Sequence, residues 1–212
     1  MSLKAVLFDL DGTLINSLPL ILYASRRTHE EMSIPYDEEY FRSTIGLPIV
    51  KTAADIAAER AEEYLEIYSN LCNKFQDELI TLYPNTINIL EEIREHDLKI
   101  AIVTSRRRFS TESILKSFDL DQYFSACVCV DDTEKHKPAP EPALLALSQL
   151  DVTNEYAAMV GDSPYDINCG NAAGCITAGV TWGMADKATL KQANPNKIFD
   201  DALKLSKWLL RL

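Results

Sequence analysis

The chain has 212 residues, enough for one domain plus an inserted or small second one. Its 47% apolar and 25% charged content is that of an ordinary globular protein. The formal net charge of −11 excludes a general nucleic-acid surface, but not an anionic small molecule, which needs only a local cluster of donors.

No apolar run is long enough to span a bilayer, and no signal-peptide pattern precedes the first strand. The five cysteines fit no zinc spacing and read as small, reduced core residues. Cys127 and Cys129 alternate within an apolar run, so they should share one face of a strand. The expected setting is cytoplasmic, away from membranes. Monomer and homodimer both stay open.

In chain order, Ala5-Val6-Leu7-Phe8 runs straight into Asp9, Asp11, Gly12 and Thr13. A continuous apolar run reads as a strand buried on both sheet faces. Carboxylates are costly inside a core, so Asp9 and Asp11 belong where the strand exits. From residue 15 to 80 no buried strand is evident, and apolar residues recur at helical spacing. Pro35 and Gly46-Leu47-Pro48 divide this stretch, giving three or four helices in an α-helical insert over residues 15–82. Residues 1–14 and 83–212 then form the main domain. There the pattern predicts helix over 88–96, strand over 98–103 and helix over 106–118. A strand over 126–130, a helix reaching about residue 150 and a strand over 156–160 follow. Next come a helix from Pro164 to near Gly174, a strand over 175–180, a short edge strand over 197–199 and a closing helix from Asp201. Alternating strands and helices imply an α/β fold: a doubly wound, Rossmann-like parallel sheet carrying the helical cap.

Polar residues recur at four strand ends. Asp9 and Asp11 follow the first strand, Thr104 and Ser105 the second, Lys137 lies in the loop after the third, and Asp162 and Asp166 follow the fourth. In a parallel sheet these ends share one edge, so the groups can converge there. Two close acids repel unless a cation separates them or one is protonated. The simplest reading is a Mg²⁺ site where one aspartate attacks phosphorus and the other moves the proton. Hydroxyls and backbone N–H groups would hold phosphate oxygens, and a lysine would neutralise charge. Ser105 reads equally as an N-cap and as a phosphate contact. Arg106-Arg107-Arg108 reads first as an exposed first helical turn, and second as a positive rim that puts Arg106 at the substrate. His29 reads as a surface residue. Arg42, Thr44, Ile45 and Gly46 are candidates for substrate selection by the insert, and the acids Glu59, Glu62, Glu63 and Glu66 read as a solvated face.

FDLDGT, TSR, KPAPEP and GDSPYD, in this order, look like the four motifs of the haloacid dehalogenase-like hydrolase superfamily. The resemblance covers the whole main domain. It implies Asp9 as nucleophile and Asp11 as general acid/base. It also implies Mg²⁺ held by the carboxylates of Asp9 and Asp162 and the backbone carbonyl of Asp11, with Asp166 in support. Thr104 or Ser105 would bind phosphate, and Lys137 would bridge phosphate and nucleophile. The insert is similar to the small cap of the phosphoglycolate phosphatase and β-phosphoglucomutase branch. Mutases of that branch carry a histidine on the first cap helix, where this chain has Ile21. The implied activity is hydrolysis of a small phosphorylated metabolite such as phosphoglycolate or a sugar phosphate. A phosphosugar mutase, an inorganic pyrophosphatase and a non-catalytic phosphometabolite-binding module are the alternatives.

Overall fold

The structure is a computed structural model that describes residues 2–212. β1 (Ala5–Phe8) is buried at every position. It lies between β4 (Lys99–Val103) and β6 (Ala157–Gly161), parallel to both. With β5 (Ala126–Val128), β7 (Ile176–Val180) and β8 (Lys197–Phe199) these strands form a six-stranded sheet, ordered β5-β4-β1-β6-β7-β8. Every pairing in it is parallel. The chain winds outward through β4 and β5, then returns to the other side of β1 for β6. The switch point therefore lies at β1, where a doubly wound sheet opens its ligand crevice.

Successive side chains of a strand face opposite ways. Val6 and Phe8 join one core cluster, beneath α5 (Thr86–Glu95), α6 (Arg108–Ser117) and α10 (Ala202–Leu209). Ala5 and Leu7 join the opposite one, beneath α7 (Glu141–Leu150) and α8 (Pro164–Ala173). α9 (Lys187–Gln192) packs through Leu190 against Ile167 of α8 and Ile198 of the edge strand β8.

The insert holds α1 (Leu18–Met32), α2 (Glu38–Thr44), α3 (Ile49–Ala57) and α4 (Ala61–Leu79). A two-stranded antiparallel ribbon, β2 (Ile15–Asn16) with β3 (Thr81–Leu82), ties its two ends together. Two residues per strand carry no period, so the sequence reading passes over this ribbon. It also misses the break at Ala58, which sits at φ +46 and leads into a 3₁₀ turn before α4. The apolar spacing continues across that break and hides it.

His29 is not a surface residue. It is 2% exposed, with Nδ1 2.8 Å from the Ser25 carbonyl and its ring edge-on to Tyr36 and Tyr64. The face of α1 that carries it packs against α4, which supplies Tyr64. Glu59, Glu62, Glu63 and Glu66 are exposed as expected. Cys127 and Cys129 share a side, with sulfurs 3.7 Å apart, and all five cysteines are free. Among the described residues no helix is long and apolar enough to cross a membrane.

Candidate active site

The backbone leaves β1 through a tight turn. The Asp9 N–H is still bound to the sheet, donating to the Val160 carbonyl at 2.9 Å. Beyond it Gly12 adopts φ +84, and a Cβ there would sit 2.1 Å from Asp162 Oδ2. Glycine is thus required twice, for the backbone angle and for the close approach of the β6 end. Thr13 Oγ1 donates to Asp162 Oδ1 at 3.3 Å, and Trp182 Nε1 donates to the Thr13 carbonyl at 3.0 Å. These bonds lock the β1 turn to the ends of β6 and β7.

Lys137 is 2% exposed. Its Nζ donates to Asp9 Oδ1 at 2.6 Å, to Asp166 Oδ1 at 2.6 Å and to the Val103 carbonyl at 3.2 Å. Asp166 is fixed in turn by a capping box at the start of α8. The Ser163 hydroxyl and N–H donate to Asp166 Oδ2 at 2.6 and 3.0 Å. Asp162 accepts from the Met184 N–H at 2.7 Å. Carboxylate oxygens of Asp9, Asp162 and Asp166 all lie within 4.8 Å of one another, and all three residues are buried. Burial pushes the Asp9 carboxyl up, with Asp166, Asp162 and Asp11 adding to the rise against the pull of Lys137. Burial likewise raises Asp162, to about 7, with Asp166 adding to it. Burial alone would lower Lys137, but Asp166 and Asp9 outweigh it and hold the ammonium charged.

Asp11 stands apart from this cluster. Arg106 Nη2 donates to its Oδ1 at 2.6 Å and Arg106 Nε to its Oδ2 at 3.0 Å. Burial raises the Asp11 carboxyl, but the guanidinium prevails and holds it below the usual range. The expected exposed turn of three arginines is therefore wrong. α6 starts only at Arg108, because Arg107 is extended at its N-cap. Arg106 lies before the helix, with a side chain 12% exposed. Arg108 is drawn to Asp132 and its N–H to Asp131.

Thr104 is buried at the end of β4, and its Oγ1 accepts from the Arg106 N–H at 3.2 Å. Ser105 caps no helix. Its hydroxyl donates to the Gly46 carbonyl of the insert at 2.7 Å. Between the sheet edge and the insert lies a cavity of about 300 Å³ that Asp9, Asp11, Thr104, Ser105, Arg106, Lys137 and Asp162 all line. Its opposite wall includes Ile21, Thr44, Ile45, Gly46, Leu65 and Tyr68. Arg42 is not part of it and pairs with Glu38 on the surface.

All the sequence candidates at the four strand ends thus meet at one cavity, with Asp166 beneath it. Sequence reasoning missed the Met184 N–H, the Thr13 hydroxyl and Gly183, where a Cβ would lie 2.3 Å from Asp162 Oδ2. Gly183 and Met184 follow an expected strand, and that position was the available signal.

Comparison with known proteins agrees with this geometry. The family described as haloacid dehalogenase-like hydrolase matches residues 6–180. The pyrophosphatase PpaX of Bacillus anthracis is 37% identical over 213 residues, covering 100% of this chain and 97% of that one. A Lactobacillus plantarum structure provisionally described as a phosphoglycolate phosphatase superimposes with TM-score 0.87 at 28% identity, over 98% of this chain and 99% of that one. A β-phosphoglucomutase from Clostridium difficile shares the fold, with TM-score 0.84 at 19% identity over 96% and 93% of the two chains. The chain belongs to the haloacid dehalogenase-like hydrolase family.

Proposed function

We propose that the chain is a Mg²⁺-dependent phosphatase working through an aspartyl-phosphate on Asp9. The observation that carries this is the buried Asp9 carboxylate, bound to Lys137, beside Asp162 and Asp166, and open to the cavity. The donor set fits Mg²⁺. Three buried carboxylates face a single ammonium, and all offer hard oxygen ligands. Asp9 and Asp162 would hold the ion directly with the Asp11 carbonyl, and Asp166 would support it. When bound, the ion neutralises charge on the transferring phosphoryl group.

The protein groups divide the remaining work. Asp9 attacks phosphorus, and its new O–P bond forms as the bond to the leaving oxygen breaks. Asp11 gives that oxygen a proton, then takes one from the water that cleaves the phosphoenzyme. Lys137 holds Asp9 in place and pulls its carboxyl towards the ionised form against burial, while Thr104 and Ser105 face the phosphoryl oxygens. Residues 15–82 act as a cap that closes the site over residues 1–14 and 83–212.

Hydrolysis is preferred over isomerisation. Ile21 lines the cavity, and the buried His29 is absent from its walls. Among hydrolysis substrates, a small diphosphate is favoured by the pyrophosphatases PpaX that match at 36–37% identity. Asp9→Asn should abolish Mg²⁺-dependent phosphate release from both pyrophosphate and p-nitrophenyl phosphate, by about 1000-fold or more. Near-wild-type turnover in that variant would remove Asp9 as the nucleophile.

A further inference from the structure

Both oxygens of Asp11 are occupied by one side chain. Arg106 holds them as a fork, at 2.6 and 3.0 Å, and its other Nη donates to Ser110 Oγ at 2.9 Å. A carboxylate bound in this way is fixed in plane and orientation by the guanidinium, so neither oxygen can turn to a leaving group without loosening the fork. Yet Asp11 is the group that must reach the leaving oxygen if it is to act as acid and base. The pair must open during turnover, and opening is costly unless Arg106 finds another anion. None of the other acids at the site is free for this. Asp9 and Asp166 are held by Lys137, and Asp162 by Thr13 and the Met184 N–H. The replacement anion has to come with the substrate.

Arg106 lines the same cavity as Asp9 and Thr104. With Asp11 as the acid that reaches the leaving oxygen, the guanidinium paired to it is on that side of the phosphoryl group. Arg107 also lines the cavity, and among the described residues it makes no ion pair.

We propose that Arg106 is a substrate-operated latch: a second anionic group on the leaving side takes the Arg106 fork away from Asp11, which frees Asp11 for proton transfer. This rests on the phosphatase reading above and deepens it. The substrate class becomes phosphate esters or anhydrides with a second anion within one or two bonds of the leaving oxygen. Diphosphates and short carboxylate-bearing esters belong to this class; esters with an uncharged tail leave the latch shut.

The test compares pyrophosphate with p-nitrophenyl phosphate, in wild type and in Arg106→Met, with Mg²⁺ present. The expected result is loss on pyrophosphate alone. The variant should lose kcat/KM on pyrophosphate by about 100-fold or more, as when one partner of a buried charge pair is truncated. On p-nitrophenyl phosphate kcat/KM should not fall and should rise by up to about tenfold, because with this substrate the wild-type fork stays on Asp11 and the substitution removes it. Equal losses on both substrates would make Arg106 a structural prop and overturn the latch. Arg106→Lys keeps the charge without the fork and should fall between wild type and Arg106→Met on pyrophosphate. A structure of the wild-type chain with Mg²⁺ and methylenediphosphonate needs no variant. Arg106 should then contact the distal phosphonate, with Asp11 released; a fork still closed on Asp11 overturns the proposal. Wild type that hydrolyses neither compound would instead refute the phosphatase reading itself.

Discussion

Every hydrogen of the Lys137 ammonium is engaged, by Asp9, Asp166 and the Val103 carbonyl. Removing it would leave two buried carboxylates facing each other and Asp162. Lys137→Met should therefore destabilise the metal-free protein by about 3–5 kcal/mol, less whatever protonation of Asp9 or Asp166 relieves. Urea unfolding in EDTA measures this, and a loss below about 1 kcal/mol would mean the triad is not a tight unit. Phosphatase turnover should disappear with it. Residue identities at this site were legible because buried acids at strand ends have few structural uses. Partners were less legible. Asp11 and Arg106 are 95 positions apart, and only the parallel alignment of β1 and β4 places them side by side. Local sequence offers the arginine run a helical turn; the partner that overrides this lies on another strand.

At the scale of elements, the buried strands announce themselves as apolar runs, and Gly174, in the left-handed region, ends α8 where expected. The insert was harder to read, since its helices pack mainly on one another. His29 shows why: its burial depends on Tyr36 and Tyr64, which approach only once α1 and α4 are paired. The insert meets the main domain along α4, where Gln76 donates to Ser113, and through one short loop at the cavity. Ser105 donates to the Gly46 carbonyl, and Gly46 sits at φ +101, with room for no Cβ beside the Tyr165 ring at 2.9 Å. Gly46→Ala strains that loop by about 1–3 kcal/mol and should pull it off the core. If closure depends on this contact, KM should rise about tenfold while thermal stability of the core stays within a few degrees. Steady-state kinetics and a melting curve check both halves. Unchanged KM would detach the Gly46 loop from substrate capture.

At the scale of the molecule, a chain of net charge −11 needs a local cluster of cations if an anion is to enter its cavity. It gathers Lys137, Arg106 and Arg107 at one cavity and leaves most of its acids elsewhere on the surface. The same cavity carries more buried carboxylate than the lysine beneath it can neutralise, which costs the metal-free fold stability. A ligand that binds only the folded state returns stability in proportion to its excess over Kd. Mg²⁺ at about 100 times its Kd contributes about 2.7 kcal/mol, and for a chain of this size that raises Tm by about 5–10 °C. EDTA should reverse the shift. Asp162→Asn should remove most of it, because it takes away a ligand and one of the repelling charges together. That variant should also melt no lower than wild type in EDTA, since the charge removed was unfavourable there. A Tm indifferent to Mg²⁺ in the wild-type protein would mean that Asp9, Asp162 and Asp166 tolerate their mutual repulsion without a cation, and the metal-dependent reading would fail with it.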